Sequence, residues 1–252
     1  MDPREPILQR LVARAKLLRY KWFAKGPTDA EWEARLRRVV LESVQSTLPW
    51  LPKSGARLVD VGANIGIYTE LVRAERPDVE AWLFEPVAAH HAACRARFAG
   101  AQRIHVEHLA LGDVDSAMTI WKPKHNPGGN LLTEELMRRR ETRMDFRPEE
   151  VRCRVFDDYA KEHGIDRVDF VKSDTEGFDY RVLRGMFGFL ARCEPKPVIL
   201  AELLAPHVHH DWNAQLEVLE RLYQLGYERV DLAGMQDVQD FLFVPRGRSR
   251  PA

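Results

Sequence analysis

From Arg57 onward, short apolar runs alternate with amphipathic stretches, and few folds accept that rhythm. A strand that is apolar along its whole length has to be buried on both faces, which calls for a mostly parallel sheet with helices on each side. The runs predict strands over 57–61, 79–84, 103–107, 167–173 and 197–202, with helices over 66–76, 87–99 and 178–190 between them. A further helix is expected over 211–225, with Asp211 placed to cap its start and Gly226 to close it. The segment YERVDLAGMQDVQDFLFVP reads as two strands, so the last strand is expected to be antiparallel. Residues 113–160 interrupt the alternation with Pro123, Pro127, Gly128, Gly129 and a mixed-charge run, which predicts an inserted lid or extra strands.

The first 52 residues have a different pattern. Leu8, Leu11, Val12, Ala15, Leu18 and Trp22 line one face of a helix, and seven basic residues against two acidic ones give residues 1–25 a net charge of +5. Thr28 and Glu31 form a capping box for a second helix carrying Trp32, Leu36, Val39, Val40 and Val44, which Pro49 and Pro52 end. The expected fold is therefore α/β. It comprises a helical extension over 1–52 and a Rossmann-like domain over 53–252 with an insertion around 113–160.

Lysine and arginine together number 38, as do aspartate and glutamate, so a nucleic acid is not an expected partner. Cys94, Cys153 and Cys193 show no C-x-x-C spacing, which argues against a disulfide framework or a zinc site and suits a reducing cytoplasm. No run approaches the length of a spanning helix, so a soluble protein is expected. Its basic first helix is suited to peripheral contact with an anionic membrane or to packing on a second subunit.

The strand–turn–helix LVDVGANIGIYTELV puts a small-residue turn at the carboxyl edge of the sheet, where ligands bind. Gly62 and Gly66 let a backbone approach a ligand, and Asn64 tolerates a left-handed conformation. A dinucleotide turn needs a middle glycine for its pyrophosphate, and Asn64 stands there instead. Asp60 suits an ammonium group better than a phosphate. After the second strand, Glu85 is placed to accept both ribose hydroxyls, and Pro86 directs the chain away. Together these point to S-adenosylmethionine, which has an ammonium group and no phosphate.

The chain resembles the FkbM-type methyltransferases through VDVGANIGIYTELV, FEP at 84–86, ALGD at 110–113, VDFVKSDTEGFDYRVLRG at 168–185 and the closing strand pair. The resemblance spans roughly residues 57–245. It implies a class I S-adenosylmethionine-dependent fold and O-methyl transfer, commonly to sugar hydroxyls of glycans or natural products. By position it implies that Asp60, Gly62, Ala63, Asn64, Gly66 and Tyr68 hold the methionine end, Glu85 the ribose, and His108, Leu109 and Ala110 the border of the adenine.

Methyl transfer needs an acceptor oxygen held in line and relieved of its proton. Asp174, after the fourth strand, is the expected base or cofactor contact, with Glu176 beside it, and Glu202 and His207 follow the fifth strand. The bland alternative makes Asp174 and Glu176 the cap and first-turn acid of the next helix. A divalent cation on Asp174, Glu202 and an imidazole is a second arrangement, not preferred. The run Arg138, Arg139 and Arg140 reads as a salt-bridged helix, while Trp121 and Asn130 are candidate sugar contacts. Two rival functions are a nucleotide-dependent oxidoreductase and a non-catalytic Rossmann-like binding module.

Overall fold

A computed structural model describes residues 30–123, 146–231 and 238–250. The predicted helix over 6–24, Thr28, Asn130 and the arginine run 138–140 lie outside the described residues.

The sheet has seven strands: β1 (Arg57–Val61), β2 (Glu80–Phe84), β3 (Ile104–Glu107), β7 (Phe170–Ser173), β8 (Val198–Leu204), β9 (Tyr227–Asp231) and β10 (Val238–Pro245). Their order is β3-β2-β1-β7-β8-β10-β9. All pairs are parallel except those of β10, which runs antiparallel to both β8 and β9. Strand order reverses between β1 and β7, so the carboxyl ends of those two strands flank the crevice where ligands bind in such sheets.

One face is covered by α1 (Ala30–Thr47), α2 (Ile67–Glu75) and α3 (Ala88–Arg97), through Val44, Tyr68, Val72, Cys94 and neighbours. The other carries α4 (Phe156–Glu162), α5 (Asp179–Arg184), α6 (Phe187–Arg192) and α7 (Trp212–Gln224), with Phe156, Tyr159, Leu183, Phe189 and Leu222 buried beneath them. The expected cap of α7 is present: Asp211 accepts from the Ala214 amide at 3.2 Å, and Gly226 closes the helix at φ +90°. Among the described residues no helix is long and apolar enough to cross a membrane.

Two boundaries differ from expectation. The single helix predicted over 178–190 is split, because a Cβ on Gly185 would stand 2.0 Å from the Gly112 carbonyl oxygen, and the chain breaks to let that strand pass. The interruption starts earlier and ends sooner than its composition suggests. β4 (Ala110–Gly112), β5 (Ser116–Pro123) and β6 (Phe146–Val155) form a second sheet of order β4-β6-β5, whereas the helix that follows, α4, packs in the main core. Trp121 and Phe146 of the second sheet pack against Leu204, as does Val208, bringing that sheet over the end of β8.

Candidate active site

The turn after β1 is pinned to β2, with the amides of Gly62 and Ala63 both donating to the Phe84 carbonyl, at 3.0 and 3.1 Å. Gly62, Asn64 and Gly66 all have positive φ, at 71°, 53° and 81°. The glycines are required by protein neighbours as well as by any ligand. A Cβ on Gly62 would lie 2.1 Å from the Asp174 carbonyl oxygen, and one on Gly66 would lie 2.6 Å from the Phe98 ring.

Glu85 is only 4% exposed. Its Oε2 accepts from the Asn64 amide at 2.7 Å and its Oε1 from the Val87 amide at 2.8 Å. One side chain thus ties the β1 turn to the β2 exit, and each oxygen keeps acceptor capacity for a hydroxyl. Pro86 is half-buried beside it, and His108 is exposed and stacked on His91 at 4.6 Å. Leu109 and Ala110 are buried, and Ala110 opens β4.

Asp60, expected to meet the cofactor's ammonium group, is fully buried and engaged by protein groups. Thr69 donates to its Oδ2 at 2.8 Å, and Lys172 Nζ, its register partner across β7, stands 3.2 Å from Oδ1. Lys172 also donates to the carbonyls of Val61 and Gly62 at 3.2 and 2.9 Å, and lies 5.7 Å from the centre of the Tyr68 ring. Burial works against its charge, but Asp60 and Asp174 outweigh that cost and hold its pKa above the usual lysine value. Tyr68, expected at the methionine end, is buried with its hydroxyl bonded to Thr47 of α1.

At the end of β7 the carboxylates crowd together. Asp174 is the open one, with 52% of its side chain exposed and Oδ2 3.7 Å from Lys172 Nζ. It does not cap the next helix, whose N-cap position is Phe178, without a side-chain bond. Glu176 has φ +56°. Asp179 points inward, accepting from Ser173 Oγ at 2.5 Å and the Thr175 amide at 3.3 Å. Burial pushes its pKa up to about 7; the Ser173 hydrogen bond opposes the shift and the Asp174 charge adds to it. Glu202, at the end of β8 and beside Asp240 of β10, is held well above the usual carboxylate range by burial and then by Asp174, Glu176 and Asp179. Its Oε2 is buried without a hydrogen-bond partner among the described residues, as is Thr175 Oγ1.

His207 is exposed on the loop after β8. The same loop places His209 and His210 against Tyr180, whose hydroxyl is 3.2 Å from His210 Nε2. Among the described residues, no group of three or more His, Cys, Asp or Glu side chains is gathered to hold a metal ion. Lys172 and Asp179 were not singled out in the sequence: the pairing of β7 with β1 sets Lys172 beside Asp60, and the chain's return after β7 brings Asp179 back to Ser173.

Residues 60–229 match the methyltransferase FkbM domain. The chain belongs to the FkbM methyltransferase family. Membership makes it a methyltransferase that draws on S-adenosylmethionine, built on the mostly parallel α/β sheet described above. The residues present fit that cofactor, since both Glu85 oxygens keep acceptor capacity for the ribose hydroxyls and the turn 62–66 offers backbone at Gly62 and Gly66 with no side chain in the way. No curated protein matches the chain. Among solved structures, it is similar to an rRNA methylase from Streptococcus thermophilus (10% identity, 80% of this chain and 92% of that one, TM-score 0.47). It is also similar to fibrillarin from Aeropyrum pernix with bound S-adenosyl-L-methionine (13%, 78% and 69%, TM-score 0.45) and to the N-methyltransferase NodS from Bradyrhizobium japonicum WM9 (10%, 89% and 99%, TM-score 0.42).

Proposed function

We propose that this protein transfers the methyl group to an oxygen acceptor, a sugar hydroxyl of a glycan or glycosylated natural product, with Asp174 as the base. The observation that carries this reading is the contact between Gly62 and Asp174. The Asp174 carbonyl packs where a Gly62 Cβ would be, so the half-exposed Asp174 carboxylate belongs to the residue that abuts the cofactor turn. A sugar hydroxyl is a weak nucleophile, and an accessible carboxylate can orient it and take its proton as the oxygen attacks.

When bound, S-adenosylmethionine supplies a methyl group already activated by its sulfonium. The chain's own residues do the rest. Glu85 accepts the ribose hydroxyls, the turn 62–66 receives the methionine end, and Leu109 and Ala110 border the adenine. Lys172, whose Nζ stands 3.7 Å from Asp174 Oδ2, orients the carboxylate towards the acceptor. Glu176, Glu202 and His207 line the acceptor side. A cytoplasmic location, with the basic N-terminal segment against an anionic surface or a second subunit, accords with this reading.

The test is incubation with methyl-labelled S-adenosylmethionine and a panel of saccharides, with and without a chelator. A sugar methyl ether formed equally in both supports the metal-free base. Label on nitrogen or carbon would overturn the oxygen acceptor, loss of activity with chelator would replace the base by a cation, and no transfer to any acceptor would leave a binding module.

A further inference from the structure

Helix α1 lies outside the family-matched segment 60–229, yet it meets the cofactor turn at Ile65 and the helix that follows the turn at Ile67, Glu70 and Tyr68. Trp32 is buried with Ile65 and Ile67, and its ring stacks on His90 at 6.5 Å, whose Nδ1 stands 3.8 Å from Glu85 Oε1. Arg37 bridges Glu33 at 3.0 Å and Glu70 at 2.6 Å. Arg97 of α3 joins the same two carboxylates at 3.1 and 2.5 Å and donates its Nε to the Ile65 carbonyl, inside the turn, at 2.7 Å. At the far end of α1, Thr47 Oγ1 donates to the Ser43 carbonyl, so it accepts from the Tyr68 hydroxyl.

The turn needs such support. It carries three residues with positive φ within five positions, one of them an asparagine, and α2 starts at Gly66 without a side-chain cap. A backbone of this kind persists only where its surroundings over-determine it. Single exposed ion pairs contribute little, but Arg97 is only 16% exposed and grips a turn carbonyl directly.

We propose that α1 is a positioning element of the cofactor site, holding turn 62–66 and Glu85 in the conformation that receives the nucleoside. This rests on the assignment of that turn to S-adenosylmethionine. Trp32, Arg37 and Thr47 act without touching the ligand. Loosening them populates turn conformers that do not bind, and the apparent Kd rises in inverse proportion to the competent fraction that remains.

The test uses the full chain, with calorimetry of S-adenosylhomocysteine binding and amide hydrogen exchange on the same variants. Trp32→Ala and Arg37→Met are expected to raise Kd by about tenfold or more and to speed exchange at residues 62–66, while exchange in β7 and β8 stays as in the wild type. Trp32→Phe and Arg37→Lys should recover most of the affinity. Wild-type affinity in both disruptive variants, or faster exchange spread evenly over the chain, would overturn the proposal. Failure of the wild type to bind S-adenosylhomocysteine would strike the cofactor assignment instead, and exchange at 62–66 would then decide the role of α1 alone.

Discussion

The two sides of the crevice are finished to different degrees. On the side of β1 and β2 each acid faces a donor or a cation: Asp60 accepts from Thr69 through Oδ2 and has the Lys172 charge beside its Oδ1, which makes no hydrogen bond among the described residues, and Glu85 accepts from two backbone amides. On the side of β7 and β8, Asp174, Glu176 and Asp179 crowd Glu202, one of whose buried oxygens is unpaired among the described residues. In the function proposed above, the first side is the receptor for the cofactor, and these bonds hold its turn to the β2 exit. The second holds electrostatic tension that a cationic ligand relieves, which is where a reaction that moves positive charge and a proton gains most.

The largest expected effect lies on the tense side. Asp174→Asn keeps the shape and should lower turnover by about 10²- to 10⁴-fold with cofactor affinity nearly unchanged. Full turnover in labelled-methyl assays would erase the functional difference between the two sides. On the finished side, Gly62→Ala forces a Cβ against the Asp174 carbonyl at a φ of +71° and should cost about 2–3 kcal/mol, read as a fall in Tm of roughly 5–10 °C. An unchanged Tm would mean the turn is softer than described. Glu85→Ala should weaken cofactor binding by about 1.5–3 kcal/mol in calorimetry, and equal affinity would remove the ribose assignment.

The smallest effect distinguishes the two sides by pH. Asp179 keeps its proton in the folded protein up to about 7, while the unfolded chain releases it near 3.8, so its contribution to stability is present below about 4 and is lost as pH rises towards 7. Asp179→Asn should therefore flatten the decline in Tm between those limits. A slope identical to that of the wild type would show that Asp179 is ionised throughout.

The sheet was legible because a strand buried on both faces has a continuous apolar signature, and β1, β2, β3 and β8 lie within a residue or two of where the pattern puts them. Glu85 and Asp174 were legible too, since each follows an apolar run. Other features depend on strand register. Asp60 meets Lys172 only because β1 and β7, more than a hundred residues apart, pair in that alignment. Nothing local in TEGFDY says that Asp179, rather than Asp174, faces inward. The break at Gly185 depends in the same way on the Gly112 carbonyl crossing it.

The placement of β10 between β8 and β9 has a consequence for how the protein is made. The strand that sets Asp240 beside Glu202 is the last of the sheet to leave the ribosome, and β9 cannot join the sheet until β10 fills the gap. Because a domain folds as a unit, the β1–β2 turn, which packs on the Asp174 carbonyl, is secured only when the rest of the sheet has formed around it. The acid-rich edge is complete only after residues 238–245 have emerged, so a chain stalled before them lacks the wall opposite the cofactor turn.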